Sequence, residues 1–158
     1  MRGRRIIGQG ATGIGGRPHA EVVALANAYG AARGATAYVT LEPCAHTGKT
    51  PPCARALVDA GVARVVVGCL DPYPPVRGRG IAILRRAGIA VETGLLEDAC
   101  RQTNEGFFTR VIRRRPFGIL KLATTWMGES LLRAAILNGS ARRHRARSCI
   151  DGAASAMP

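Results

Sequence analysis

Aromatic residues are scarce in this chain: three Phe, three Tyr and one Trp, 4% of 158 residues. That removes most of the stacking platforms on which single-stranded nucleic acid is held. Lysine is nearly missing too, with only Lys49 and Lys121 among 23 basic residues, the other 21 being Arg. Acidic residues number ten, so the formal net charge is +13. A charge of that size invites a nucleic-acid partner, but its distribution argues against one. Residues 1–109 hold 13 basic and 8 acidic side chains, a net of +5, whereas residues 110–158 hold 10 and 2, a net of +8. A phosphate-bearing small substrate needs only a few of these charges, and nucleic acid is not the expected ligand.

No apolar run approaches the ~20 residues that span a bilayer, so no membrane partner is expected. The N-terminal MRGRRIIGQGATG lacks the apolar stretch of about 7–15 residues that a secretory signal needs, and the expected compartment is the cytosol. Five cysteines, an odd number, argue against a disulfide framework in that compartment. Cys69 lies in an apolar strand-like run and Cys100 in a helix-like one, where cysteine serves as a small buried hydrophobe. What is present is 47% apolar residues, which excludes disorder and supplies one domain with a real core.

Helix and strand signals alternate, which predicts an α/β fold. Strands are expected over Arg4–Gln9, Thr36–Leu41, Arg64–Leu70, Ile89–Thr93 and Phe117–Ala123. Helices are expected over Ala20–Tyr29, Pro52–Ala60, Ile81–Ala87 and from Leu95 to about Arg110. RVVVGCL is a near-continuous apolar strand of the kind covered on both faces, and DPYPPVRGRG is a turn by composition. At least four strands are thereby expected on one sheet.

Three pieces carry chemistry: His19-Ala20-Glu21, Pro43-Cys44 and Cys53. Singly each has an ordinary reading, since a histidine at a helix start is usually structural and a glutamate in a first turn is usually solvated. Together they match the zinc-deaminase pattern of H-x-E followed by P-C and a second Cys. One imidazole and two thiolates fill three tetrahedral positions of Zn²⁺ and leave the fourth for water, whose pKa the metal lowers towards ~7. Glu21, beside a ligand without being one, is the candidate proton shuttle from that water to the ring nitrogen and the departing ammonia. Cys53 opens a helix, where free N–H groups favour a thiolate. The alternative is a closed structural zinc site with His46 as fourth ligand, which has no use for Glu21.

The runs PHAEVVAL, YVTLEPCAHTGKTPPCARALVDAGVARVVVGCLDP and GRGIAILRRAGIAVETGLLEDACRQTNEGFFTR resemble the deaminase half of the bifunctional riboflavin-biosynthesis deaminase/reductase family over about residues 3–125. The eight residues AHTGKTPP between Cys44 and Cys53 are more specific than the general signature, because most other zinc deaminases place two there. The resemblance implies a cytidine-deaminase-like three-layer α/β/α sandwich around one mixed sheet. It also implies one catalytic zinc on His19, Cys44 and Cys53, with Glu21 catalytic. The implied substrate is 2,5-diamino-6-(5-phosphoribosylamino)pyrimidin-4-one, deaminated to the 5-aminouracil derivative, with His46, Lys49 and Asp71 as substrate-binding candidates. Two departures stand beside this. Family members begin with a helix, a Pro-Asn-Pro loop and a first strand, which here have no counterpart. That absence predicts an exposed sheet edge and self-association as a homo-oligomer. Tyr73 stands in DPYPP where the family usually has Asn.

The expected organisation is a deaminase domain over 1–115, the start of a reductase domain over 116–125, and a divergent tail over 126–158. Family members continue into a reductase domain that binds NADPH and opens with Leu-Asp-Gly-Arg. FGILKLATT matches that opening and WMGESLLRAAILNGS does not. Trp126 and Met127 have the unique codons TGG and ATG. With Gly128 as GGN, reading one base out of register forces Asp-Gly after a codon ending in TG; if one C was lost before it that codon is CTG, Leu, and permitted synonymous choices extend this to LDGRIATAGGDSQWI, which resembles the reductase start. The tail is therefore expected to be the translation of a shifted reading frame, with a natural divergent extension as the alternative. Stop codons at once in the other frame of the gene would end that idea.

Overall fold

The computed structural model describes residues 1–47, 51–124 and 130–136, with 121–124 and 130–136 described as backbone. Strands β1 (Thr36–Leu41), β2 (Arg64–Cys69) and β3 (Ala90–Thr93) form a parallel sheet in that order. Helix α2 (Cys53–Asp59) crosses from β1 to β2, and α3 (Arg79–Arg86) from β2 to β3, as parallel pairing requires. The run RVVVGC takes the middle place and is buried from Val65 to Cys69. A strand covered on both faces has no polar side to alternate with, hence its continuous apolar sequence.

Side chains alternate across the sheet. Val65 and Val67 cluster with Ala28, which ends α1 (Ala20–Asn27), with Ala54 and Leu57 of α2, and with Leu84 of α3. On the opposite face α4 (Glu97–Thr103) lies so close that a Cβ built at Gly68 would sit 2.2 Å from Cys100 Sγ. The three layers of the expected α/β/α sandwich are thus in place. Register pairs Leu41 with Cys69, so β1 and β2 end level. The segments that follow, Glu42–Cys44 and Leu70–Asp71, leave the sheet side by side at its C-terminal edge, the usual place for a site in such folds.

Three expectations differ from the structure. The strand expected over Arg4–Gln9 is replaced by an isolated antiparallel bridge, Arg2 to Arg5, and an irregular run. That run lies on α1: a Cβ at Gly8 would meet the Ala24 carbonyl oxygen at 2.3 Å, and one at Gly10 the Ala20 oxygen at 2.6 Å. The two glycines let backbone approach backbone, and this draws the chain away from the edge of β1, where a strand would find partners. At that edge the Met1 amine donates to the Thr36 carbonyl at 2.5 Å, and the Thr36 amide donates to the Met1 carbonyl at 2.8 Å.

The helix expected from Leu95 is two helices, α4 and α5 (Glu105–Arg113), divided at Asn104. The Asn104 side-chain amide donates to the Cys100 carbonyl at 2.8 Å, the local competition that makes Asn a helix breaker. Finally, β4 (Gly118–Thr124) forms where a strand was expected. It pairs antiparallel with β5 (Ser130–Ile136) in a separate two-stranded sheet. Among the described residues the main sheet is therefore parallel and three-stranded, and the antiparallel pairing is in the hairpin. Two neighbouring strands close locally at low entropic cost, which is why β5 forms in a tail for which the sequence suggested no element. The rest of that tail lies outside the described residues. No helix among them is long and apolar enough to cross a membrane.

Candidate metal and proton-transfer site

His19 is the N-cap of α1, with extended backbone (φ −70°, ψ 152°) and a carbonyl that accepts from the Val22 and Val23 amides. Its ring makes no capping bond and turns to the sheet edge, where Nδ1 lies 3.2 Å from Cys53 Sγ and 3.6 Å from Cys44 Sγ. Cys44 comes from the turn after β1. Cys53 is the first residue of α2, whose N-cap is Pro52. The Cys53 amide, one of the free N–H groups of a helix start, donates to Cys44 Sγ at 3.1 Å. The three candidate ligand atoms lie within 4.8 Å of one another. Tetrahedral zinc with Zn–S of ~2.3 Å and Zn–N of ~2.0–2.1 Å puts N···S at roughly 3.6 Å and S···S at roughly 3.8 Å. The donor set and its spacing fit that ion. Among the described residues His46 does not join the cluster, and these offer three candidate ligands and not the four of a closed structural site.

The charges are arranged to suit a cation. The hydrogen bond from the Cys53 side chain is the main cause that brings Cys44 down to about 5, against its burial and with help from the Cys53 amide and His19. Cys53 is pushed up, first because Cys44 holds its proton, then by burial and the nearby Glu21 charge. Glu21, half-buried in the first turn of α1, is raised above the usual carboxylate range chiefly by burial. Its carboxyl lies close enough for the charges of His19 and Cys44 to act on it and lines the same cleft, which places it at the cradle.

A cleft of about 720 Å³ opens onto these groups. His19, Glu21, Cys44, His46 and Asp71 line it, with Leu25, Val39 and Val76 among its apolar walls. Cys53 is fully buried behind Cys44. Asp71 is buried and its carboxyl is raised mainly by that burial, opposed by a 2.7 Å bond from the Tyr73 amide. His46 is exposed at the rim, close enough for its charge to act on Asp71. Lys49 lies outside the described residues. Sequence reasoning missed Glu42, Asn104 and Phe107, which also line the cleft. The signal for Glu42 was a carboxylate at the end of an apolar strand, directly before Pro-Cys.

Comparison with known proteins agrees with this geometry in two stages. The cytidine and deoxycytidylate deaminase zinc-binding region matches residues 2–69, so the class is that of the zinc deaminases. Within it, the diaminohydroxyphosphoribosylamino-pyrimidine deaminase of Buchnera aphidicola is 51% identical over 106 residues, which cover 67% of this chain and 72% of that protein. The riboflavin biosynthesis protein RibD of Synechocystis is 51% identical over 129 residues, 82% of this chain and 35% of RibD. The structure of Acinetobacter baumannii RibD superposes with a TM-score of 0.67 at 54% identity, covering 72% of this chain and 32% of that one. The chain belongs to the riboflavin-biosynthesis diaminohydroxyphosphoribosylaminopyrimidine deaminase family. It spans about a third of the length of the RibD proteins it matches.

Proposed function

We propose that the chain deaminates 2,5-diamino-6-(5-phosphoribosylamino)pyrimidin-4-one by hydrolysis, releasing ammonia and leaving the 5-aminouracil derivative. The observation that carries the reading is the meeting of His19, Cys44 and Cys53 within 4.8 Å beside the Glu21 carboxyl, at the mouth of one cleft. His19 Nδ1 and the two sulfurs would hold zinc, which supplies Lewis acidity and brings a water's pKa towards neutrality.

The remaining work falls to side chains of this chain. Glu21 accepts a proton from the attacking water and delivers it to the ring nitrogen beside the carbon under attack. It then carries the second proton to the amine as it leaves, so that water and amine become carbonyl and ammonia. Its place beside His19 without serving as a ligand leaves Glu21 free for that proton transfer. Asp71 and His46 both line the cleft and would orient the pyrimidine and its ribose phosphate, with Lys49 as a further phosphate-binding candidate. NADPH belongs, on the same reading, to a reductase domain starting near residue 116 and takes no part in this step.

The test is ammonia release from the diaminopyrimidine phosphate by zinc-loaded chain, with Glu21→Gln as control. Turnover that falls by about 10²–10⁴-fold in the variant while zinc stays bound supports the reading. Zinc bound without turnover would leave a chain that keeps the cradle and lacks the activity. Turnover of cytosine, adenosine or tRNA instead would place it with another branch of the zinc deaminases.

A further inference from the structure

Glu42 has no part in the chemistry above, yet it is only 3% exposed at the wall of the cleft. Both carboxylate oxygens are used. Oε2 accepts from the amides of Asp71 at 3.3 Å and Gly78 at 2.9 Å, and Oε1 from those of Gly80 at 3.0 Å and Ile81 at 3.4 Å. The Glu42 amide itself donates to the Cys69 carbonyl at 3.0 Å. One side chain thus binds the turn after β2 and the first turn of α3, elements 29 to 39 residues away in sequence.

The helix α3 explains why a carboxylate is needed. Its N-cap is Gly78, in the left-handed region at φ 77°, with no side chain to satisfy the free amides of the first turn. Glu42 does from another strand what a Ser or Asp cap does locally, and its charge suits the positive end of a helix. A second contact reinforces the joint. A Cβ at Gly80 would lie 1.9 Å from the Pro43 carbonyl oxygen, so α3 packs directly on the peptide that precedes Cys44, and only glycine fits.

We infer that Glu42 is a positioning residue for the proposed deamination: it locks the Cys44 turn to the 71–77 turn, so that metal cradle and substrate wall keep one register. The 71–77 turn brings Asp71, Tyr73 and Val76 to the cleft. Asp71 is further tied to Tyr73 by the Tyr73 amide. Both turns leave the sheet at the same edge, and the carboxylate spans the gap between them. The inference rests on the function proposed above in treating that wall as the substrate's.

The experiment uses the zinc-loaded full chain with Glu42→Gln, which keeps the shape but replaces one acceptor oxygen by an NH₂ that confronts backbone donors. A displacement of the substrate turn by ~1 Å relative to the metal cradle should lower kcat/KM for the diaminopyrimidine phosphate by about 10- to 10²-fold. Zinc content and the visible spectrum of the cobalt-substituted chain should be unchanged. Gly80→Ala, which opens the same joint from the other side, should lower kcat/KM in the same direction. A folded Glu42→Gln chain with unaltered kcat/KM overturns the inference, and so does a changed cobalt spectrum with unaltered kcat/KM, which would confine Glu42 to the metal cradle.

Amide hydrogen exchange in the unsubstituted chain provides a second test that needs no variant. Because coupling between the two turns is reciprocal, removing zinc with a chelator should lower protection at Asp71, Gly78, Gly80 and Ile81 as well as at Cys53. Opening at Cys53 with those four amides unmoved overturns the joint. If the unsubstituted chain binds zinc and shows no turnover, the proposed function falls, and the exchange experiment still decides whether the two turns are locked.

Discussion

Gly68→Ala tests the packing that holds the sheet under the cleft. A Cβ at Gly68 would stand 2.2 Å from Cys100 Sγ, 2.8 Å from Cys100 Cβ and 3.0 Å from the Thr40 carbonyl oxygen. Ordinary carbon contacts fall at about 3.5–4.0 Å, so α4 must retreat by roughly 1.5 Å or the strand must bend. Overpacking of this kind costs about 1–3 kcal/mol, and for a chain of this size each kcal/mol lowers Tm by about 2–4 °C. The contact also reaches the site, because the far end of α4 leads to Asn104 and Phe107 in the cleft wall. Urea unfolding of the zinc-loaded chain measures the loss. Cys100→Ala removes the sulfur and leaves the Cβ, so the double variant should recover about half of what Gly68→Ala loses, a coupling of ~1 kcal/mol. A Gly68→Ala chain within ~0.5 kcal/mol of the unsubstituted one, or a double variant with no recovery, would refute the packing of α4 on β2.

Cys53→Ala should abolish stoichiometric zinc binding. It should also remove the zinc-dependent rise in Tm, which for the unsubstituted chain corresponds to about 2.7 kcal/mol at zinc a hundredfold above Kd; atomic absorption and thermal scans with and without chelator check both. Asp71 titrates above the ordinary aspartate value because burial penalises its charge. Its contribution to stability is therefore full below the unfolded value of about 4 and is lost as pH rises through the folded value. Asp71→Asn should accordingly gain on the unsubstituted chain in urea midpoint as pH rises from that value, and a pH-independent difference would contradict this. The Arg64–Glu92 ion pair spans 2.5 Å between exposed side chains, so Glu92→Gln should leave the urea midpoint nearly unchanged, and any difference seen at low salt should vanish at high salt.

The elements that the sequence predicts well are those whose signal is local. RVVVGC is apolar throughout because both faces are covered, and Thr36–Leu41 is β-branched and apolar; both are strands where expected. Pro52 before Cys53 marks the start of α2, and Gly61 lies just beyond its end. The reading fails where a partner decides. RRIIGQ has the composition of a strand, yet Gly8 and Gly10 seat it on α1, and composition does not say which surface a segment meets. Leu95 to Arg110 carries continuous helical spacing, and the break comes from the hydrogen bond of Asn104 to Cys100. The tail after residue 125 offered no pattern to read, and β5 exists through its pairing with β4.

For the site, the residue types alone named the cradle. An imidazole, two thiols and a nearby carboxyl at that spacing have few other joint uses, so His19, Glu21, Cys44 and Cys53 stood out before any contact was known. The tertiary structure decided that the three ligand atoms meet within 4.8 Å and that His46 stays at the rim. It also showed that a buried Glu42 ties two turns together. The candidate ligands are legible in the sequence because metal chemistry accepts few side chains. The partners of Glu42 are backbone amides, which every residue but proline carries, and only the fold selects which of them a carboxylate can reach.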